Sequence, residues 1–187
     1  MSESVIIING SLRINGNTDR LIKHILKGAE NSASTQEVIN LRELKIGNCA
    51  GCYNCRKNHV CPIHDDMDKI RRKIEKADLL LFASPLYWCS VTGLMKTFID
   101  RLFFYYHEDN KALIRGKKVI TLTVFNQKDA KKETDLLNEF YKRLFHAIGL
   151  RYVNSYDFSG LMDKDGFINN DDYLATSLKI GTEFDKL

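Results

Sequence analysis

Five times along the chain a short run of aliphatic and β-branched residues is followed by a segment whose apolar residues recur at helical spacing, and this alternation constrains the fold more than any other feature. Residues 5–9 form a β-branched run closed by Asn9-Gly10, which reads as a buried strand entering a turn. From Thr18 onward Leu21, Ile22, Ile25, Leu26 and Ala29 mark a helix, with Asn17 or Thr18 expected as its N-cap. Residues 37–41 read as a second strand. A cysteine-rich segment follows, and then a helix capped by Asp65 or Asp66 and carrying Met67, Ile70 and Ile74.

Residues 79–83 give the third strand. Beyond Pro85 the spacing of Val91, Leu94, Met95, Phe98, Ile99 and Leu102 predicts an amphipathic helix. Residues 118–125 read as strand four and 131–148 as a helix stopped by Gly149. Residues 152–158 read as strand five, and 171–187 as a closing helix capped by Asn170 or Asp171. Right-handed crossovers then require a parallel sheet with helices on both faces. In such a sheet ligands bind beyond the carboxyl ends of the strands, where the strand order reverses.

The chain has 187 residues, and its balance of 44% apolar to 28% charged residues suits a single domain spanning residues 1–187, with a cysteine-rich loop at 47–64. Its apolar runs are too short to cross a bilayer and residues 1–9 lack the features of a leader, so the expected place is the cytoplasm, away from membranes. A net charge of +4 is spread among acids rather than gathered into a stripe, so nucleic acid is not an expected partner.

The loop from Asn9 to Thr18 feeds a helix N-terminus, where free backbone N–H groups and the helix dipole favour an anion. Ser11, Asn17 and Thr18 offer hydroxyl or amide groups and Arg13 a charge, although Ser11 and Asn17 could equally serve a turn and a cap. No Lys-Ser or Lys-Thr follows Gly16, which argues against an ATP-binding Walker loop. Ser11-Leu12 after Gly10 breaks the G-x-G-x-x-G dinucleotide fingerprint. The loop also lacks the cysteine nucleophile that a low-molecular-weight phosphatase carries there. A phosphate ester held without hydrolysis remains.

Four motifs in one order, Gly10-Ser11-x-Arg13-x-x-Gly16-Asn17-Thr18, Cys49-x-x-Cys52-x-x-Cys55 through Cys61 to Asp65-Asp66-Met67, Pro85-x-Tyr87-Trp88 and Lys96-x-Phe98-Ile99-Asp100-Arg101, give the chain a clear likeness over residues 5–104. It resembles the NAD(P)H-dependent FMN reductases and iron–sulfur flavoproteins of the flavodoxin-like superfamily. The resemblance implies a flavodoxin-like, doubly wound five-stranded parallel sheet of order 2-1-3-4-5. It also implies FMN as cofactor, with the phosphate on Ser11, Arg13, Asn17 and Thr18. The isoalloxazine ring would then lie along Pro85, Leu86, Tyr87 and Trp88, with Cys89 and Ser90. After strand four the match weakens, and Asn126 is either a donor to the flavin's pyrimidine edge or a turn former.

The spacing C-x2-C-x2-C-x5-C of Cys49, Cys52, Cys55 and Cys61 lets four thiolates serve one metal centre, which a [4Fe–4S] cluster would satisfy. Asn58-His59 within the loop keeps zinc open, and relatives with flavin alone keep several such cysteines. No histidine or carboxylate is assigned a catalytic role, because FMN brings its own chemistry. The expected function is an FMN-dependent reductase that takes electrons from NAD(P)H to a flavin, a quinone, another small acceptor or a redox carrier. The alternatives are an iron–sulfur flavoprotein carrying electrons without nicotinamide turnover, and a non-enzymatic metal or redox sensor. Phe103-Phe104-Tyr105-Tyr106, read as a continuation of the preceding helix, exceeds what one helix face can bury, so a homodimer or homotetramer is expected.

Overall fold

A computed structural model describes residues 3–186. Its centre is a five-stranded, wholly parallel sheet of order β2-β1-β3-β4-β5, built from β1 (Ser4–Asn9), β2 (Thr35–Asn40), β3 (Leu79–Pro85), β4 (Lys118–Val124) and β5 (Arg151–Phe158). The expected flavodoxin-like order is the observed one. Seven helices connect these strands: α1 (Asn17–Gly28), α2 (Asn54–Asn58), α3 (Met67–Lys76), α4 (Gly93–Arg101), α5 (Glu108–Lys111), α6 (Lys131–Ile148) and α7 (Asp171–Thr182).

Strand periodicity divides the core into two layers, because successive side chains point to opposite faces. Ile6, Ile8, Leu80 and Phe82 pack with residues of α3, α4 and α6 on one face. Val5, Ile7, Leu79 and Leu81 pack with α1 and α7 on the other. β1, β3 and β4 lie inside the sheet with both faces covered, which is why they read as continuous apolar runs.

Several boundaries differ from the sequence expectation. The N-cap of α1 is Gly16 rather than Asn17 or Thr18, because Asn17 turns its side chain towards a distant loop. β3 runs on through Ser84 and Pro85, paired to Thr123 and Val124. α7 ends at Thr182 and gives way to a 3-10 turn at Phe184–Lys186; the expected end at Leu187 lies outside the described residues. The N-cap of α3 is Asp66, which makes no side-chain cap bond, while Asp65 before it accepts from the Met67 N–H (2.9 Å); Asn170 caps α7 by accepting from the Tyr173 N–H (3.1 Å), and Gly149 closes α6 at φ 83°.

The aromatic run after α4 is not helical in the α sense. At Leu102 the chain tightens into a 3-10 turn, Leu102–Tyr106, whose period of three sets Phe103 over Tyr106, with rings stacked 5.4 Å apart. Tyr105 is thereby driven into the core while Tyr106 stays exposed. Tyr105 donates to Glu75 (3.0 Å), and burial pushes its phenol pKa up.

α1 and α7 cross in direct backbone contact. A Cβ on Gly181 would overlap the Ile25 carbonyl, and one on Gly28 the Leu178 carbonyl, so each crossing point requires glycine. We predict that Gly181→Ala forces the two helices apart and lowers unfolding free energy by about 3 kcal/mol. Gly93→Ala, at a position with nothing within 4 Å, leaves stability equal or raises it by up to about 1 kcal/mol. Urea unfolding of the two variants checks the contrast.

Candidate functional site

At the carboxyl ends of β1, β3 and β4, where the strand order reverses, lies a cavity of about 250 Å³. Its floor is the loop between β1 and α1, and it holds Ser11, Arg13, Gly16, Asn17 and Thr18. One side is Pro85, Leu86 and Tyr87. The other is Val124 at the end of β4 with Phe125 and Asn126 after it, and Leu161 and Met162 from the segment after β5.

A buried amide shapes the floor. Asn9, at the end of β1, donates to Asp19 Oδ1 (2.7 Å) and to Asn40 Oδ1 (3.0 Å), and its own oxygen accepts from the Ser11 N–H (3.0 Å). Asp19, in the first turn of α1, also accepts from the Asn15 N–H (2.7 Å) and from Arg42 (3.0 Å). Arg42 in turn donates to the Ser11 carbonyl (3.2 Å). Asn15 takes the left-handed conformation (φ 56°) that asparagine tolerates, so the chain turns back into α1. Behind the loop, Thr92 donates to the Gly10 carbonyl (2.6 Å) and accepts from the Met95 N–H (3.2 Å). A side chain on Gly10 would stand 2.8 Å from Met95 Cβ, so only glycine fits between strand and helix.

The loop residues named from sequence are brought together, but not with equal freedom. The Ser11 hydroxyl accepts from the Arg13 N–H (3.2 Å), a local turn bond. The Asn17 side chain donates to the Leu161 and Asp163 carbonyls (3.2 and 2.7 Å) and accepts from the Phe167 N–H (3.1 Å), which brings the Leu161–Met162 wall to the cavity. Asn17 therefore offers a ligand its backbone N–H, one of the first-turn donors of α1 that have no partner within the helix. Thr18 is buried at the cavity, and neither its hydroxyl nor the Arg13 guanidinium has a hydrogen-bond or ion-pair partner among the described residues. An orphaned hydroxyl, an unpaired cation and a bare helix N-terminus on one wall fit a phosphate.

The loop beyond β3 departs from the expected arrangement. Tyr87 and Ser90 close a two-residue turn through N–H to carbonyl bonds of 2.8 and 3.0 Å, and its central residues Trp88 (φ 48°) and Cys89 (φ 59°) are both left-handed. Such turns ordinarily take Asn-Gly. The turn holds Tyr87 in the cavity wall and leaves Trp88, Cys89 and Ser90 off it, with Trp88 99% exposed. Asn126 is in the wall as expected; Gly16, Val124, Phe125, Leu161 and Met162 were not foreseen.

The cysteine segment is fastened from the far end of α4. Arg101, fully buried, donates to the Asp65 carboxylate (2.5 Å), the Gly47 and Ile63 carbonyls (2.9 and 3.1 Å) and Cys61 Sγ (3.6 Å). Cys49 and Cys52 are exposed and Cys55 and Cys61 half-buried. Burial, then the nearby Cys61, Cys49 and Cys52, push the Cys55 thiol up. No three of these sulfurs lie within 4.8 Å of one another among the described residues. A single ion held by thiolates needs such convergence, whereas a cluster places its thiolates on separate irons. The thiols as folded are not gathered around one point as a single zinc ion held by thiols alone requires.

Burial works against the Asp65 carboxylate, but Arg101 and the N–H groups of Gly47 and Met67 outweigh it and hold its pKa below the usual carboxylate range. The stabilisation is complete above the unfolded pKa near 4 and is lost as pH falls through the folded value. Asp65→Asn, which leaves Arg101 buried without its partner, is predicted to cost about 3 kcal/mol at pH 7, and the gap to wild type should close only below about pH 4. Urea midpoints across pH measure it.

Comparison with known proteins assigns the chain to a family. Residues 4–153 match the family model for NADPH-dependent FMN reductase. An iron–sulfur flavoprotein of Archaeoglobus fulgidus is 37% identical over 118 residues, covering 63% of this chain and 52% of that protein. The chain spans about half the length of the iron–sulfur flavoproteins it matches. A Bacillus subtilis protein assigned as an NAD(P)H-dependent FMN-containing oxidoreductase is 28% identical over 152 residues, covering 79% of this chain and 80% of its own. The solved NAD(P)H:quinone oxidoreductase of Methanothermobacter marburgensis superposes with a TM-score of 0.76 over 99% of this chain and 97% of its own, at 18% identity, which speaks for the fold. With four-fifths of its length matched by the family model, the chain belongs to the NADPH-dependent FMN reductase family.

Proposed function

We propose that the protein is an FMN-dependent oxidoreductase that takes reducing equivalents from NAD(P)H and passes them to a flavin, a quinone or another small acceptor. The observation that carries this reading is the cavity itself, where an anion-ready helix N-terminus and an apolar wall meet at the switch point of the sheet. FMN, when bound, supplies hydride acceptance and electron release from one ring system. The protein's part is to bind and orient. Arg13, the Thr18 hydroxyl and the first-turn N–H groups of α1 would hold the phosphate, and Pro85, Leu86, Tyr87 and Asn126 would line the ring, with Leu161 and Met162 excluding water.

The cysteine segment favours a second reading in the same molecule, an iron–sulfur centre that passes single electrons between the flavin and a redox carrier. α4 supports it by joining the two sites directly, with Thr92 against the phosphate loop and Arg101 against Cys61. No helix among the described residues is long and apolar enough to cross a membrane. The free thiols suit the reducing cytoplasm, where we place the protein. For assembly we propose a homodimer or homotetramer through the apolar groove that Tyr53, Phe103, Tyr106, Phe140 and Leu144 line.

Loss of the phosphate contact separates FMN from riboflavin. Arg13→Ala is predicted to weaken FMN by about 10- to 100-fold and riboflavin by less than about twofold, as a charge-assisted contact of about 1.5–3 kcal/mol requires. Fluorescence titration with both ligands measures it, and equal losses would refute the phosphate assignment. In anaerobically purified protein, Cys49→Ser or Cys61→Ser is predicted to remove bound iron while FMN stays near one per chain. Flavin without iron in the wild-type preparation would reduce the function to the flavin alone.

A further inference from the structure

Beside the cysteine segment stands a second group of ligand-type side chains that the flavin reading leaves unused. His59 follows α2 in the left-handed conformation (φ 58°), His107 is the N-cap of α5, and Asp109 lies in the first turn of α5. His59 Nε2 is 3.4 Å from Asp109 Oδ2, and His107 Nδ1 is 3.7 Å from the same oxygen. The two imidazole rings are 5.0 Å apart between centres. Among the described residues this is the one set of three or more histidine, cysteine or carboxylate ligands whose donor atoms all fall within 4.8 Å of one another.

A second observation points to a missing ligand. His107 Nδ1 is shielded from solvent yet has no hydrogen-bond partner, an arrangement that costs free energy in an isolated protein. Asp109 stands too far from it for a hydrogen bond. Donors around one first-row ion, each at about 2.0–2.2 Å, lie roughly 3–3.5 Å apart, so a small inward movement would bring all three atoms onto a single ion.

We infer that His59, His107 and Asp109 form a binding site for a divalent transition-metal ion of the zinc class, distinct from the four thiols. Two imidazoles with one carboxylate select zinc, cobalt or nickel over magnesium or calcium. Arg56 and Lys57, which line the adjoining cavity with Cys52 and His107, oppose any divalent ion alike, so imidazole and carboxylate coordination must supply the affinity. Three protein donors leave the remaining positions to water. Asn110 already donates to the Cys55 carbonyl (3.3 Å), so an ion on His59 and Asp109 adds a second tie between α5 and the cysteine segment. The site then acts as a clasp that closes the loop carrying the cysteines.

Cobalt(II) is the probe, because thiolate ligation gives intense near-ultraviolet charge transfer and imidazole–carboxylate ligation gives weak visible bands alone. In flavin-loaded, chelator-treated protein with Cys49, Cys52, Cys55 and Cys61 all changed to serine, we expect one equivalent of cobalt bound without charge transfer. His107→Ala or Asp109→Asn in that background should weaken binding at least tenfold and leave FMN affinity unchanged. Failure of the serine protein to bind cobalt, or equal binding with and without the His107 and Asp109 changes, overturns the proposal. Should the serine protein not fold, the same two substitutions are made in the wild-type chain. There the loss of the weak-band binding event supports the site, and its persistence refutes it. FMN binding is read in every sample, so a failed flavin assignment shows separately from a failed metal site.

Discussion

The buried amide of Asn9 is the contact on which the rest of the site depends. One side chain at the end of β1 ties the neighbouring strand through Asn40, the first turn of α1 through Asp19, and the loop between β1 and α1 through the Ser11 N–H. Of these groups the Ser11 N–H is buried and has no other partner, and leaving it unpaired would cost about 1–3 kcal/mol. Arg42 completes the arrangement by giving the Asp19 carboxylate a buried counter-charge. The loop is therefore preformed, so an anion of the kind proposed above would meet donors already ordered by folding.

α4 extends this order across the molecule. Nine residues long, it spans about 13 Å, with Thr92 locking the phosphate loop at its N-terminus and Arg101 fastening the cysteine segment at its last residue. A rigid helix of one hydrophobic face fixes the separation of the two loops more firmly than any direct contact between them would. Motions of the cysteine segment are thus referred to the same element that seats the loop between β1 and α1.

Much of this was legible in the amino-acid order. A β-branched run closed by Asn9-Gly10 and an apolar run at 79–83 announced two central strands, and the polar loop before Leu21 pointed to the wall of the cavity. What stayed hidden depends on contacts distant in sequence. Arg42 meets Asp19 across 23 residues, and Asn17 reaches the 161–167 segment across about 150, so neither partner is implied by local pattern. Periodicity over five residues cannot tell 3.6 from 3.0 per turn, so the 3-10 break at Leu102 was read as more helix. The left-handed turn at Trp88 and Cys89 ran against the usual glycine and asparagine signal for such a turn, and hence the tip's departure from the cavity was missed.

That turn also decides what light can reveal about this protein. Trp88 is the chain's single tryptophan, and it stands wholly in solvent beside the residue that walls the cavity. Its emission is already that of an indole in water while the chain is folded, so unfolding changes its surroundings little. A molecule or a second subunit settling over the cavity mouth changes them greatly. The indole is a built-in optical reporter of arrivals at the rim and a poor thermometer of the core.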